Sequence, residues 1–453
     1  MLPLDDRPIL TAAAMRAAEE ASGIDVDTLM ARAGRAVAEA VRRIGGGQET
    51  LILCGPGNNG GDGYVAAAAL REAGVPVRIA AATEPHTDAA RRARAGWGGP
   101  VEWIADAQPA PVLVDALFGT GLSRALDVEI SSPLCRLVAD SRLAIAVDLP
   151  SGVDADTGAA FGDLPRFALT LALGAAKPAH LLQPAARYCG TVRVLDIGVP
   201  IASDARVLAP PSLPEPGPDS HKFNRGTVAV IRGRMSGAAH LAATAAMHAG
   251  AGYVSLLGAS MPGEPHALVR RPLTDEALAD PRIGALVIGP GLGRDDAMRE
   301  LVGKALATDH PLVIDGDALR LVTPEQLAGR AAPIILTPHA GEFDGLFGEA
   351  DGSKIDRTRV AASRAQAVVV HKGPDTVIAA PDGQVRIAGD ANDWLSTAGS
   401  GDVLAGAIAA CVATRLSPLE AATAGVWLHR EAARRLGRAF IADQLATALG
   451  AVR

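Results

Sequence analysis

Apolar residues recur at three- and four-residue spacings at Leu29, Met30, Ala33, Val37, Ala40, Val41 and Ile44, which predicts a helix. Gly45-Gly46-Gly47 then stops it. Thr50–Cys54 is a short continuous apolar run, the pattern of a strand buried on both faces in a parallel sheet. A glycine loop, Gly55–Gly63, leads to a helix centred on Val65–Leu70 that Gly74 ends, and Val75–Ala80 reads as the next strand. Strand, glycine loop, helix, strand is a βαβ unit with its ligand end above the first strand. Val112–Val114 and Leu143–Val147 are further strands.

The second half repeats the alternation without an internal repeat in sequence. Thr227–Ile231 is a strand, followed by an alanine-rich helix through Ala246 that Gly250-Ala251-Gly252 closes. Strand-like runs follow at Tyr253–Leu257, Ala285–Ile288, Leu312–Ile314, Ile334–Leu336 and Ala367–Val370. Alternation of this kind predicts an α/β fold, a mostly parallel sheet covered by helices on both faces. The helix expected at Pro418–Leu436 carries an apolar stripe and a charged face and is assigned no function.

Pro210, Pro211, Pro214, Pro216 and Pro218 interrupt both patterns, so residues 206–220 read as an extended linker. Domains are expected at 1–205 and 221–453, as the 453-residue length requires more than one core. Aromatic residues are only 3%, so the cores must be built from Ala, Val, Leu and Ile. A net charge of −7 argues against a nucleic-acid surface. Cys54, Cys135, Cys189 and Cys411 have no C-x-x-C spacing, which suits a reducing compartment. No signal peptide or membrane span is read, so a cytoplasmic protein without membrane partners is expected.

The polar residues collect at strand ends, where an open α/β sheet forms its ligand crevice. In the first half these are Asn58, Asn59, Asp62, Asp115, Asp148 and Ser151. Asn59, Asp115 and Ser151 offer the oxygen donors that suit a hard cation, a reading ranked below a direct ligand-binding role. The second half offers Gly289–Gly293, Asp315–Leu319, Thr337–Glu342 and His371–Thr376. Its Thr397–Gly406 stretch is a glycine-rich turn entering an apolar helix, a ready phosphate site. Asp402 within it would repel a phosphate unless it removes a proton from a neighbouring hydroxyl; an acid in a first helical turn is also favoured by the dipole alone.

Gly55–Gly63, Asp115–Leu122 and Asp148–Gly152, with Met15 and the Leu29–Gly34 helix, resemble the NAD(P)H-hydrate epimerase family over roughly residues 5–205. The resemblance implies a Rossmann-like domain in which Asn58, Asn59, Gly60, Gly61 and Asp62, and the loop Gly119, Thr120, Gly121, Leu122, Ser123, Arg124 and Ala125, hold the hydrated nucleotide. It implies Asp148 at the reacting centre and potassium on Asn59, Asp115 and Ser151. Gly289–Gly293, Thr337–Glu342, Lys372–Thr376 and Thr397–Gly406 resemble the NAD(P)H-hydrate dehydratase family, a ribokinase-like branch, over roughly residues 220–453. That likeness implies ADP, accompanied by Mg2+, on Lys372, Gly373, Pro374, Asp375, Thr376 and Gly401. It implies the hydrated nicotinamide on Ala238, Gly291, His339 and Asp402, with Asp402 catalytic. The fused order is that of bifunctional nicotinamide nucleotide repair enzymes. Substrates are then NADH hydrate, NADPH hydrate and ADP, and a homo-oligomer is expected.

Met235, His371 and Asn392-Asp393-Trp394 depart from the dehydratase pattern and bear on how substrate is positioned. Two other readings fit the residues. The second half could be a ribokinase-like small-molecule kinase, and the first half a ligand-binding module without turnover.

Overall fold

The computed structural model describes residues 2–258, 265–389 and 392–453. The chain divides into two compact units, the first ending at Val207 and the second beginning at Leu208. Residues 208–226 form neither helix nor strand.

In the first unit Asp25 caps the helix Val26–Gly45, accepting from the Thr28 N–H at 2.9 Å, and left-handed Gly46 ends it. Its buried stripe is Leu29, Met30, Ala33, Val37, Ala40 and Val41. Seven strands follow: β1 (Thr50–Cys54), β2 (Val77–Ala81), β3 (Glu102–Trp103), β4 (Val112–Ala116), β5 (Leu143–Val147), β6 (Leu169–Leu173) and β7 (Thr191–Leu195). They pair in the order β3-β2-β1-β4-β5-β6-β7, and every pair is parallel. β2 starts at Val77 because Pro76 has no N–H to give the ladder, although its carbonyl accepts from Thr50 N. A short strand, β8 (Ala205–Val207), bonds back to Arg7 and Ile9.

Close backbone approach shapes the top of this sheet. A Cβ on Gly55 would lie 1.7 Å from the Leu117 carbonyl oxygen, so the chains leaving β1 and β4 touch where only glycine fits. Gly55→Ala is expected to destabilise the unit by about 3 kcal/mol. Urea unfolding of the full chain checks this, and an unchanged midpoint for the first transition would refute it.

In the second unit the strands are β9 (Thr227–Ile231), β10 (Tyr253–Leu257), β11 (Val269–Arg271), β12 (Ala285–Ile288), β13 (Leu312–Ile314), β14 (Ile334–Leu336), β15 (Val368–His371), β16 (Thr376–Ala379) and β17 (Val385–Ala388). Their order is β11-β10-β9-β12-β13-β14-β15-β16-β17. Pairing is parallel through β15, while β16 and β17 join antiparallel as hairpins. The strand expected at 367–370 sits one residue later and includes His371. Alanine lets the covering helices come close. A Cβ on Gly406, in the helix Ser400–Ala413, would stand 2.0 Å from the Ala242 carbonyl of the helix Ser236–His248. The core around them is largely alanine, valine and leucine. Among the described residues no helix is long and apolar enough to cross a membrane, and all four cysteines are free thiols.

Candidate functional site

Strand order in the first unit reverses beside β1, which has β2 on one side and β4 on the other. Chains leaving the carboxyl ends of β1 and β4 diverge there and open a crevice. Residues Pro56–Asn59 and Asp62 after β1, Leu117–Leu122 after β4, and Asp148 after β5 line one cavity of about 720 Å3. Lys177 and the N-terminal residues Met15, Glu19 and Met30 complete its wall. Asn58, Asn59, Asp62, Gly119, Thr120, Gly121, Leu122 and Asp148 thus meet in one place.

Gly60 and Gly61 do not line the cavity. A Cβ on Gly60 would lie 1.9 Å from the Gly55 carbonyl oxygen, and one on Gly61 would lie 2.4 Å from Met30 Cε. Each glycine lets its neighbour approach closely, the Gly55 loop at Gly60 and Met30 at Gly61. Ser123, Arg124 and Ala125 are exposed beyond the lining residues.

Asp148 sits just past β5 with φ +64°, a backbone state rare for a residue with a side chain. Three neighbours hold it. Lys177 Nζ donates to Oδ1 at 2.5 Å, and the Leu173 N–H donates to the same oxygen at 3.1 Å. His180 Nε2 lies 2.7 Å from the Asp148 carbonyl oxygen, while His180 Nδ1 accepts from the Lys177 N–H. That pairing fixes a neutral imidazole with its proton on Nε2. Burial, then the Lys177 charge, pushes the His180 pKa down to about 4. Lys177 and His180 were absent from the sequence reading. A lysine within Gly174-Ala175-Ala176-Lys177-Pro178, just past an apolar run, was the available signal.

Asp115 and Ser151 lie behind the cavity wall. Ser151 donates to Asp115 through Oγ at 2.8 Å and N at 2.9 Å, and the Leu117 N–H adds a third bond. Burial still raises the Asp115 pKa to about 6. Among the described residues no lysine or arginine pairs with this carboxylate, and Asn59 Nδ2 is buried with no hydrogen-bond partner. Asp62 is only 8% exposed, and its carboxyl makes no hydrogen bond or ion pair among the described residues.

In the second unit the order reverses beside β9, between β10 and β12. The loops after β9 and β12 meet there: a Cβ on Gly291 would lie 2.7 Å from Met235 Cβ and 3.1 Å from Ala238 Cβ. Met235 is 67% exposed at the start of the helix Ser236–His248. Gly399 packs on Leu241 of that helix, which ties the Thr397–Gly406 loop to the same crevice.

Gly399 takes φ +87° and starts the helix Ser400–Ala413. The Ser400 N–H is taken by Thr397 O at 3.3 Å, and the first helical bond comes from Val403. The Gly401 and Asp402 N–H groups therefore have no helical partner. Burial, then the neighbouring Asp315, raises the Asp402 pKa to about 6. Lys372 Nζ binds Asp315 Oδ1 at 2.8 Å and lies 3.8 Å from Glu342 Oε2. Burial works against its charge, yet Asp315 and Glu342 outweigh burial and raise its pKa. A Cβ on Gly401 would lie 3.2 Å from Lys372 Nζ, so the missing side chain leaves a cradle between helix start and ammonium.

His339 caps the helix Ala340–Phe347: its Nδ1 accepts from the Glu342 N–H, and Glu342 Oε2 accepts from the His339 N–H. Its side chain is 58% exposed and reaches Glu342 Oε1 at 3.4 Å. In the turn after β15 only Gly373 and Pro374 are exposed. Asp375 pairs with Lys354 at 2.7 Å, and Thr376 Oγ1 donates to Gly373 O at 2.8 Å. Both side chains are engaged within the turn.

The sequence departures have local explanations. His371 stacks on Phe343 at 4.1 Å, and burial pushes its pKa down to about 3, so it packs as a flat neutral ring. Asn392 Nδ2 bonds the Ala433 and Gly437 carbonyls at the end of the helix Pro418–Leu436, anchoring the segment before the loop. That helix does more than fill the core. His429 Nε2 lies 2.9 Å from Ser400 O, and burial pushes its pKa down to about 4.

Residues 228–452 match the family described as NAD(P)H-hydrate dehydratase, and residues 26–179 match the family described as YjeF-related protein N-terminus. The bifunctional NAD(P)H-hydrate repair enzyme of Thermofilum pendens is 36% identical, with 91% of this chain and 88% of the relative covered. That of Coxiella burnetii is also 36% identical, covering 91% of each. A crystal structure of the ADP/ATP-dependent NAD(P)H-hydrate dehydratase from Bacillus subtilis is 30% identical, covering 53% of this chain and 93% of that one, with a TM-score of 0.48.

Proposed function

Since the chain belongs to the family of bifunctional NAD(P)H-hydrate repair enzymes, we propose that Asp148 and Asp402 are the residues through which its two units act. The enzyme epimerises hydrated NAD(P)H and dehydrates it back to NAD(P)H. Hydration leaves a hydroxyl on the carbon beside the ring nitrogen, a centre with R and S configurations.

In the first unit the substrate lies in the cavity between Asn58, Asn59 and the Gly119–Leu122 loop. The ring nitrogen's lone pair expels the hydroxyl and the carbon becomes planar; water then adds to either face. Asp148, held by Lys177, accepts the proton of the incoming water. The observation that supports this role is its placement: an acid in a strained backbone state, fixed by three donors, at the wall of the cavity.

Asn59, Asp115 and Ser151 suit potassium: all three carry side-chain oxygens, and the buried Asp115 carboxylate, bonded to Ser151, lacks a protein cation. When bound, potassium would supply the missing positive charge behind the cavity wall.

In the second unit Asp402 takes the proton of the substrate hydroxyl, whose oxygen attacks the terminal phosphate of ADP, leaving AMP. The Gly401 and Asp402 N–H groups and Lys372 stabilise the phosphate charge. Phosphate is a better leaving group than hydroxide: the ring nitrogen's lone pair expels it from the S form, and loss of a proton from the neighbouring ring carbon then restores the reduced ring. Asp315 and Glu342, both beside Lys372, are the carboxylates that would hold Mg2+, and the ion would neutralise phosphate oxygens. A pKa of about 6 suits Asp402 as a base near neutral pH. Dehydration kcat/KM is therefore expected to be flat well above that value and to fall tenfold per pH unit below about 6. A profile with no acid limb would remove Asp402 from this role.

The deciding experiment incubates mixed epimers with ADP or ATP and follows the reduced-ring absorbance to completion. Full recovery of both epimers, with AMP and phosphate formed from ADP, is the expected result. A stable phosphorylated product would overturn the proposed chemistry.

A further inference from the structure

We propose that Asp62 is the general acid of epimerisation, a proton donor to the leaving hydroxyl that faces the same cavity as Asp148. The proposal rests on the reading of the first unit as the epimerase and adds the proton source that reading lacks.

Three observations carry it. Asp62 lines the cavity yet is only 8% exposed. Its carboxyl makes no hydrogen bond or ion pair among the described residues, whereas the Asp115 carboxyl takes three donor contacts and the Asp148 carboxyl two. A buried, unpaired carboxyl is cheapest as the neutral acid. The charges around it act the same way. Burial, then Asp148, then Glu19 push its pKa well up, with Lys177 opposing them. Arg16, Glu20, Asp25 and His86 line the cavity from exposed positions. Lys177 is the other candidate donor, but it binds Asp148 Oδ1 and the Leu173 carbonyl. Losing its proton would leave Asp148 buried without its cation.

The step balances. The Asp62 O–H proton passes to the hydroxyl oxygen, the carbon–oxygen bond breaks with its pair, and water forms. The ring nitrogen's lone pair becomes the second bond to carbon. Water adds to the opposite face, its spare proton goes to Asp148, and exchange with solvent resets both carboxyls. Two carboxyls whose surroundings differ this much divide acid and base work between them.

The test compares wild type, Asp62→Asn and Asp62→Glu, with epimer interconversion followed by chiral separation across pH. Asparagine keeps the shape and cannot donate a carboxyl proton. Expected are a kcat lower by about 100-fold or more, a KM little changed, and loss of the alkaline limb that wild type shows as Asp62 ionises. Asp62→Glu should recover part of kcat with the limb displaced, and it decides the matter if Asp62→Asn does not fold. A full kcat with a raised KM, or an alkaline limb that persists in Asp62→Asn, overturns the assignment. Wild type that fails to interconvert epimers at any pH overturns the epimerase reading itself, a different result from either.

Discussion

Replacing Asp402 with asparagine is expected to abolish dehydration and leave epimerisation at the wild-type rate. Removing a positioned base costs roughly 100- to 10,000-fold, and here the base also generates the nucleophile. Asparagine keeps the first-turn geometry and the free Gly401 N–H, so nucleotide binding should persist. The variant should also be more stable at neutral pH. A carboxyl whose folded pKa is raised to about 6 stabilises the fold while protonated and loses that contribution as pH rises through about 6. Asparagine carries no charge to bury. A higher Tm at pH 7 with no recovery of reduced-ring absorbance is the signature, the usual opposition of stability and activity at such sites. Loss of both activities in a folded variant would contradict the division of labour between the units.

Asp148→Asn has the opposite effect on the two activities. The S epimer should be dehydrated as in wild type, whereas the R epimer should be consumed only as fast as it epimerises spontaneously. Asparagine is the informative replacement because it tolerates the φ of +64° that alanine would resist. The substitution leaves Lys177, 1% exposed, without its anion. Breaking such a pair costs about 3–5 kcal/mol, so the first unit should melt earlier. Circular dichroism at a temperature below the new transition separates unfolding from lost chemistry. Equal consumption of both epimers would remove Asp148 from the reacting centre.

Much of the chemistry could be read from local pattern, because glycine turns and strand ends are local features. Thr397–Gly406 announced both a helix start and an acid, and both lie where the loop reading put them. The partners of those residues were hidden because topology supplies them. Lys177 lies 29 residues beyond Asp148 and reaches it only because β5 and β6 are neighbours. Lys372 meets Asp315 across 57 residues through the stacking of β13, β14 and β15. His429 was invisible for another reason. It sits in a helix whose spacing satisfies a core stripe completely, so nothing in the period marks the residue that reaches Ser400. The packing part of the glycines was hidden as well: the Gly55 backbone stands against Gly60 and the end of Met30 against Gly61, neighbours that no local pattern shows.

His180, His371 and His429 are each locked as neutral rings, with pKa values of about 4, about 3 and about 4. An unfolded chain would carry them near 6.5. Unfolding in mild acid must therefore take up as many as three protons at these positions. Their contribution to stability is complete above about pH 6.5 and is lost as pH falls toward the folded values. At its steepest the loss reaches roughly 4 kcal/mol per pH unit, one proton's worth from each ring. Taken alone these rings make acidification a folding stress in both units, which Asp62, Asp115 and Asp402 oppose as their raised carboxyls gain protons in the folded state.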